Sequence, residues 1–233
     1  MQSPLRFVTM PSRCEYLPAQ VSRLEYEMVG QLTSADYLER LHRGWRRMGH
    51  ALFRPMCPAC DACRSLRVPV ATFRPNESQR RAWKANRERL TLTVGSPSLS
   101  AAKQDLFVKF HRHQQGAKGW PQRTADDLTS FLRNPLPTEE WCYFDGDRLI
   151  GLGYVDVVPD GLSAIYFVYD PDDRSRSIGT FNVLTVIAAA ARLRLPQVYL
   201  GYYVEGCRSL EYKARFRPNE VLIRDGSWAP FIA

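Results

Sequence analysis

The fold is decided by four consecutive segments: Ser163-Ala164-Ile165-Tyr166-Phe167-Val168-Tyr169, the polar run Asp170-Pro171-Asp172-Asp173-Arg174-Ser175-Arg176-Ser177, the apolar-faced stretch Ile178 to Arg194, and Gln197-Val198-Tyr199-Leu200-Gly201-Tyr202. The first is too uniformly apolar for a strand with one wet face and reads as a central strand. The polar run is a loop, the third segment a helix, and the fourth another strand. Just upstream, Asp145-Gly146 between Cys142-Tyr143-Phe144 and Leu149-Ile150-Gly151 is a hairpin signal. Pro159-Asp160-Gly161 makes a second turn. Hairpin, strand, loop, helix and strand together predict an α+β domain with an antiparallel or mixed sheet and helices.

Toward the N-terminus, Ser100 to Gln115 reads as a helix with Leu106, Phe107 and Phe110 on its core side. His111 and His113 then sit as polar residues near its C-terminus, where partial positive charge is favoured. A change of character near residue 95 divides the chain into a cysteine-containing, Arg-rich region, 1–95, and a second domain, 96–233. In the first region, Thr33-Ser34-Ala35-Asp36 opens a helix. Tyr37, Leu38, Leu41, Trp45 and Met48 form its buried stripe, Gly49 ends it, and Arg40, Arg43 and Arg47 occupy another face without full acidic compensation. Leu66-Arg67-Val68-Pro69-Val70 alternates as a strand, with Pro69 favouring an edge. Ser78 caps a further helix on which Arg80, Lys84 and Arg87 share a face, with Arg81 beside them. Stacked like charges repel, so a polyanion on that face is favoured over plain solvent.

The bulk numbers agree with such a partner. The 233 residues carry 32 Lys and Arg against 24 Asp and Glu, a net charge of +8, which speeds encounter with a polyanion and releases its counterions. The longest nearly apolar stretch, Val183 to Ala191, is too short to span a bilayer. Met1-Gln2-Ser3-Pro4-Leu5-Arg6 has no extended apolar core, so the chain reads as cytoplasmic, with no membrane partner.

Three places can carry chemistry. The loop Arg174 to Gly179, with Arg176 and Ser177, leads into helical amides that can hold an anion, and Gly179 allows close approach. The segment Gly201 to Phe216 mixes aromatics, cations and acids after a core strand. Its Cys207 has no visible His partner, which argues against covalent catalysis. Cys57-x2-Cys60-x2-Cys63 supplies three thiols at metal-compatible spacing, with Cys14 as a fourth candidate ligand for Zn or an Fe–S cluster.

At these same residues the chain resembles the aspartate/glutamate leucyltransferase branch of the arginyl-tRNA–protein transferase family. The landmarks are Cys14-Glu15-Tyr16-Leu17-Pro18, Gly44-Trp45-Arg46-Arg47, Leu52-Phe53-Arg54-Pro55-x-Cys57-Pro58-x-Cys60-x2-Cys63 and Arg64-Ser65-Leu66-Arg67-Val68. Ser78-Gln79-Arg80-Arg81, Gly201-Tyr202-Tyr203-Val204, Tyr212-Lys213 and Phe216-x-Pro218-Asn219 complete the series. The resemblance implies a GNAT-like (acetyltransferase-like) C-terminal domain using aminoacyl-tRNA, with the Arg174 to Gly179 loop where acetyltransferases hold pyrophosphate. It implies leucine transfer from leucyl-tRNA to proteins beginning with Asp or Glu, marking them as N-degrons. Eukaryotic relatives carry a CxxC near the N-terminus, whereas Leu17 stands here where its second cysteine is expected. The cysteine geometry therefore departs from theirs.

On this footing no cofactor is required for transfer, because an aminoacyl ester is already activated. Glu205 and Tyr212 are the candidate catalytic residues, Glu205 as proton acceptor. Arg208, Lys213 and Arg215 are candidates for binding the acceptor's acidic side chain, and Arg80, Arg81, Lys84, Arg87, Arg174, Arg176, Ser177 and Gly179 for binding tRNA. An arginyl donor, an acyl-CoA donor and a non-catalytic metal-containing tRNA-binding module remain the alternatives.

Overall fold

The computed structural model describes residues 5–231, so the reading of Met1 to Pro4 lies outside the described residues. The chain runs through β1 (Leu5–Val8), the two-residue strands β2 (Ser12–Arg13) and β3 (Val21–Ser22), β4 (Leu24–Met28), α1 (Ser34–Leu41), β5 (Arg46–Met48) and β6 (Ala51–Pro55). Next come β7 (Arg64–Pro69), α2 (Glu77–Asn86), β8 (Leu90–Gly95), α3 (Ala101–Lys118), β9 (Thr138–Asp145), β10 (Arg148–Val158) and β11 (Gly161–Tyr169). Last are α4 (Ile178–Arg192), β12 (Gln197–Tyr203), the one-turn α5 (Arg208–Glu211), β13 (Glu220–Leu222) and β14 (Trp228–Pro230).

Two larger sheets result. A four-stranded antiparallel sheet has the order β1-β4-β6-β5. An eight-stranded sheet has the order β14-β13-β7-β12-β11-β10-β9-β8, and its pairs are antiparallel except β11 with β12. A parallel pair needs a crossover, and α4 supplies it. This is the mixed, mostly antiparallel sheet with flanking helices that the acetyltransferase likeness implies. Strands β7 and β8 join it from before residue 96.

Alternation along the strands divides the core by face. On β9, Trp141 and Tyr143 join the cluster under α4, with Ile150, Phe181, Leu184 and Val186. Cys142, between them, joins the cluster under α3, with Leu106, Phe107, Phe110 and Leu128. Helices thus cover both faces of β11, which explains its uniformly apolar sequence; each fully buried large aliphatic side chain contributes roughly 1.5–3 kcal/mol.

The structure corrects several expectations. Helix α1 is capped by Thr33 but ends at Leu41. Gly44, at φ 78°, turns the chain there rather than at Gly49, so Trp45 and Met48 leave the helix. Arg46 and Arg47 fall on β5 and are buried. Of the three arginines expected to lack full acidic compensation, Arg40 meets Glu27 and Arg47 meets Asp156 from distant parts of the chain, whereas Arg43 only approaches its local neighbour Glu39 at 3.9 Å. Pro69 does not mark an edge, because β7 lies between β13 and β12; β13 pairs only at Leu66 and Arg67 and leaves the proline end free of that ladder. Helix α2 is capped by Asn76, in a reciprocal box with Gln79, rather than by Ser78. His111 is no surface cation: it is buried, and burial lowers its pKa.

The two sheets are joined through β5. Arg47 Nε donates to Asp156 Oδ2 at 2.6 Å, and its other nitrogens reach Asp156 Oδ1, Thr138 Oγ1, Asn134 Oδ1 and the Gly49 carbonyl. A buried ion pair with so many satisfied hydrogen bonds favours one register between the sheets.

Candidate active site

The parallel β11–β12 ladder is short. It pairs Gly161 with Gln197, Leu162 with Val198 and Ser163 with Tyr199, and the register goes no further. Irregularities flank that point. One lies between Tyr154 and Val155 in the β10–β11 ladder and another between Tyr199 and Gly201 in the β12–β7 ladder. A fork therefore opens between the later halves of β11 and β12.

Arg46 reaches into the base of the fork. Its Nη1 donates to Ser163 Oγ at 3.2 Å and its Nη2 to the Ala164 carbonyl at 2.7 Å. Gly201, at φ 81°, makes room for it: a Cβ there would stand 3.3 Å from the Arg46 Nε. On the β12 arm, Lys213 Nζ donates to the Tyr202 carbonyl at 2.8 Å. Burial, reinforced by the Arg46 charge and opposed by Cys207, lowers the Lys213 pKa to about 7. Two nitrogen cations thus flank the fork, one permanent and one poised to titrate. Asn219 Nδ2 donates to the carbonyls of Ala214 and Phe216 and braces the turn that carries Lys213.

The start of α4 lies beyond the other arm. Ser177 adopts a left-handed conformation (φ 56°, ψ 44°) and makes no side-chain cap, so the first helical amides keep their capacity for an outside acceptor. A Cβ on Gly179 would lie 3.9 Å from Tyr169 Cε1, so the helix start and the end of β11 adjoin. Tyr212 shares the core beneath Tyr169 and packs on Phe216, and burial raises its phenol to about 12. At ordinary pH it is a neutral donor, suited to a hydrogen bond rather than to taking a proton.

The remaining sequence candidates are placed as follows. Glu205, Arg208 and Arg215 are exposed. Arg174 is exposed, whereas Arg176 is engaged by Asp145 and Asp173. On α2, Arg81 pairs with Glu77, and Arg87 with Glu88 just past the helix. Arg80 and Lys84 are exposed and form no ion pair among the described residues. Cys14, Cys57, Cys60 and Cys63 line one cavity of about 670 Å³, all unbridged. Burial and the neighbouring thiols of Cys14, Cys57, Cys60 and Cys207 push Cys63 up to about 12. Among the described residues no group of three or more His, Cys, Asp or Glu side chains already stands at metal-holding geometry, although Cys14, Cys57 and Cys60 are close enough to act on the Cys63 thiol.

Arg46 is a site residue that sequence reasoning misses, since the chain shows it only inside the landmark Gly44-Trp45-Arg46-Arg47. No helix among the described residues is long and apolar enough to cross a membrane.

Two family models match the chain: the N terminus of arginine-tRNA-protein transferase over residues 12–81 and its C terminus over residues 102–223. An aspartate/glutamate leucyltransferase of Pseudomonas aeruginosa (strain LESB58) is 38% identical over 223 residues, covering 93% of each chain. Its namesake from Nitrosococcus oceani is 37% identical over 228 residues, covering 96% of this chain and 94% of its own. Among solved structures, L-PGS from Bacillus licheniformis shares the fold, with a TM-score of 0.52 at 12% identity over 90% of this chain and 79% of that one.

Proposed function

The chain belongs to the arginine-tRNA–protein transferase family, and on that premise we propose that it transfers leucine from leucyl-tRNA to the N-terminal amine of proteins beginning with Asp or Glu. The observation that carries the reading is the fork past Ser163 and Tyr199, with cations on one side and uncapped helical amides on the other. The 3′ end of the tRNA takes the α4 amides, since phosphate is favoured at a helix N-terminus. The acidic side chain of the acceptor takes Lys213, with Arg46 supporting the positive field.

The chemistry is aminolysis. The neutral α-amine attacks the ester carbonyl, the ester C–O bond to the ribose breaks, and an amide C–N bond forms. The amine loses one proton and the ribose oxygen gains one, so the tRNA departs with a free hydroxyl. The amine has an ordinary pKa near ~7.7–8, so a useful fraction is neutral at physiological pH. Alignment of amine and ester can lower the barrier by roughly 7–11 kcal/mol, more than a base usually contributes. The ester arrives activated, so the reading requires no cofactor and no covalent enzyme intermediate. It places the chain in the cytoplasm, where leucylation marks the acceptor as an N-degron.

The test offers purified protein tRNA charged with radiolabelled Leu, Arg or Phe, together with peptides beginning with Asp, Glu, Lys or Ala. Leucine on Asp and Glu peptides alone is the expected result. Arginine there instead moves the chain to the arginyl branch, and no transfer in any pairing overturns the reading.

A further inference from the structure

A second cavity, about 680 Å³, opens on the α3 face of the sheet beside the β11 arm of the fork. Met48, Phe107, Trp120, Phe131 and Tyr166 give it apolar and aromatic walls. Among the described residues its charged lining is the inverse of the molecule's: three carboxylates, Glu15, Asp126 and Asp127, against the guanidinium of Arg123. Asp127 is held below the usual carboxylate range by the Thr124 amide and by Arg123, so its charge is present at neutral pH. Tyr16 lines both this cavity and the cysteine-lined one next to Tyr202, which ties it to the β12 arm.

One polar contact on the wall has a definite direction. His111 Nδ1 lies 2.8 Å from the Phe107 carbonyl, which can only accept, so Nδ1 carries the ring hydrogen. Burial favours the neutral ring, which leaves Nε2 as an acceptor. Tyr166 must then donate its hydroxyl hydrogen to Nε2, across 2.6 Å. With that hydrogen committed, the Tyr166 oxygen has only acceptor capacity left for a ligand.

We propose that this cavity is the donor amino-acid subsite: Met48, Phe107, Trp120, Phe131 and Tyr166 enclose the apolar side chain of the esterified amino acid, and the Tyr166 oxygen with the neighbouring carboxylates receives its α-ammonium group. The inference rests on the transferase reading above and adds the place where the donor is selected. Charge decides among occupants. Three carboxylates repel the phosphates of a tRNA terminus and the acidic side chain of an acceptor, whereas a leucyl ester presents a cation and a branched hydrocarbon. Tyr166 lies three residues past the last β11–β12 pair, so the cavity adjoins the fork where the ester would lie.

The experiment fills the cavity from its rim, with Met48→Trp and Ser130→Trp, both at exposed positions. Transfer is measured with leucyl- and alanyl-tRNA, and binding of leucine methyl ester by ligand-observed NMR. The expected result is at least a tenfold fall in the Leu/Ala ratio of kcat/KM, loss of ester binding, and unchanged affinity for uncharged tRNA. Tyr166→Phe, which keeps the ring, should raise KM for leucyl-tRNA several-fold and leave the acceptor KM unchanged. An unaltered Leu/Ala ratio with ester binding intact, or an effect confined to the acceptor KM, overturns the assignment. Ester binding by wild type that the filling variants abolish upholds the subsite even where no leucine is transferred, an outcome that removes only the transferase reading.

Discussion

The guanidinium of Arg46 occupies space that any side chain on Gly201 would invade. An added Cβ would meet Arg46 Nε at 3.3 Å and Nη2 at 3.4 Å, and the glycine's φ of 81° disfavours other residues independently. Glycine on one strand thus admits the arginine that holds the base of the fork against Ser163 and Ala164.

Gly201→Ala should therefore lower stability by roughly 1–3 kcal/mol through backbone strain alone. Urea denaturation checks this. Transfer activity should fall further than the stability loss accounts for, because Arg46 must shift. Arg46→Lys, which cannot span two acceptors with a planar fork, should lose activity too.

Arg47→Met leaves the Asp156 carboxylate buried without its partner and should cost about 3–5 kcal/mol. Asp156→Asn together with Arg47→Met removes both charges and should recover part of that loss. Equal denaturation midpoints for the single and double variants would contradict the pairing.

The pH dependence has a definite sign. Lys213 has its pKa lowered to about 7 by burial, with Arg46 adding to the shift, so above that pH the free enzyme loses the charge that receives the acceptor. The acceptor amine, with its ordinary pKa near ~7.7–8, gains reactivity over the same interval. The profile of kcat/KM for an Asp peptide should be a narrow bell. Lys213→Arg stays charged, and its profile should keep rising where the wild type falls. Stability gives a separate check. Folded Lys213 binds less proton than unfolded between about 7 and its ordinary 10.5, so unfolding free energy should rise with pH there. Lys213→Met should flatten that rise.

A carboxylate at the start of α4 separates helix stability from tRNA binding. Gly179→Glu places the acid in the first turn, where it stabilises a helix by about 0.3–1 kcal/mol, and an added Cβ meets nothing closer than 3.9 Å. Affinity for tRNA should nonetheless fall about tenfold, since the acid competes for the anion position. Filter binding alongside thermal unfolding reads both effects. Affinity as good as wild type would remove the α4 amides from the tRNA interface.

On α2, Arg80 and Lys84 carry no carboxylate partner among the described residues, unlike Arg81 and Arg87. Arg80→Glu with Lys84→Glu should weaken tRNA binding and reduce the slope of log affinity on log salt by roughly 0.7–0.9 for each phosphate no longer neutralised. An unchanged slope would take this face out of the interface.

Local pattern was enough to determine the hairpin at Asp145-Gly146, the strand ending at Tyr169, the helix from Ile178 and the strand at Gln197, because periodicity and turn chemistry are properties of neighbours in the chain. The order of landmarks from Cys14 to Asn219 was likewise enough for the family. Local pattern failed where long-range contacts override it. Arg46 and Arg47 look like part of a helix because Tyr37, Leu41, Trp45 and Met48 keep helical spacing; only Asp156 and Ser163, more than a hundred residues away, explain a buried strand there. His111 looks like a solvated helix end until Tyr166 comes across from β11. The depressed pKa of Lys213 depends on burial and on Arg46, neither visible in the run Tyr212-Lys213-Ala214. Sequence determines which groups a chain owns and the elements they sit on. Burial, charge proximity and the direction of a hydrogen bond arise only between elements, so the tertiary structure alone decided which of those groups meet at the fork.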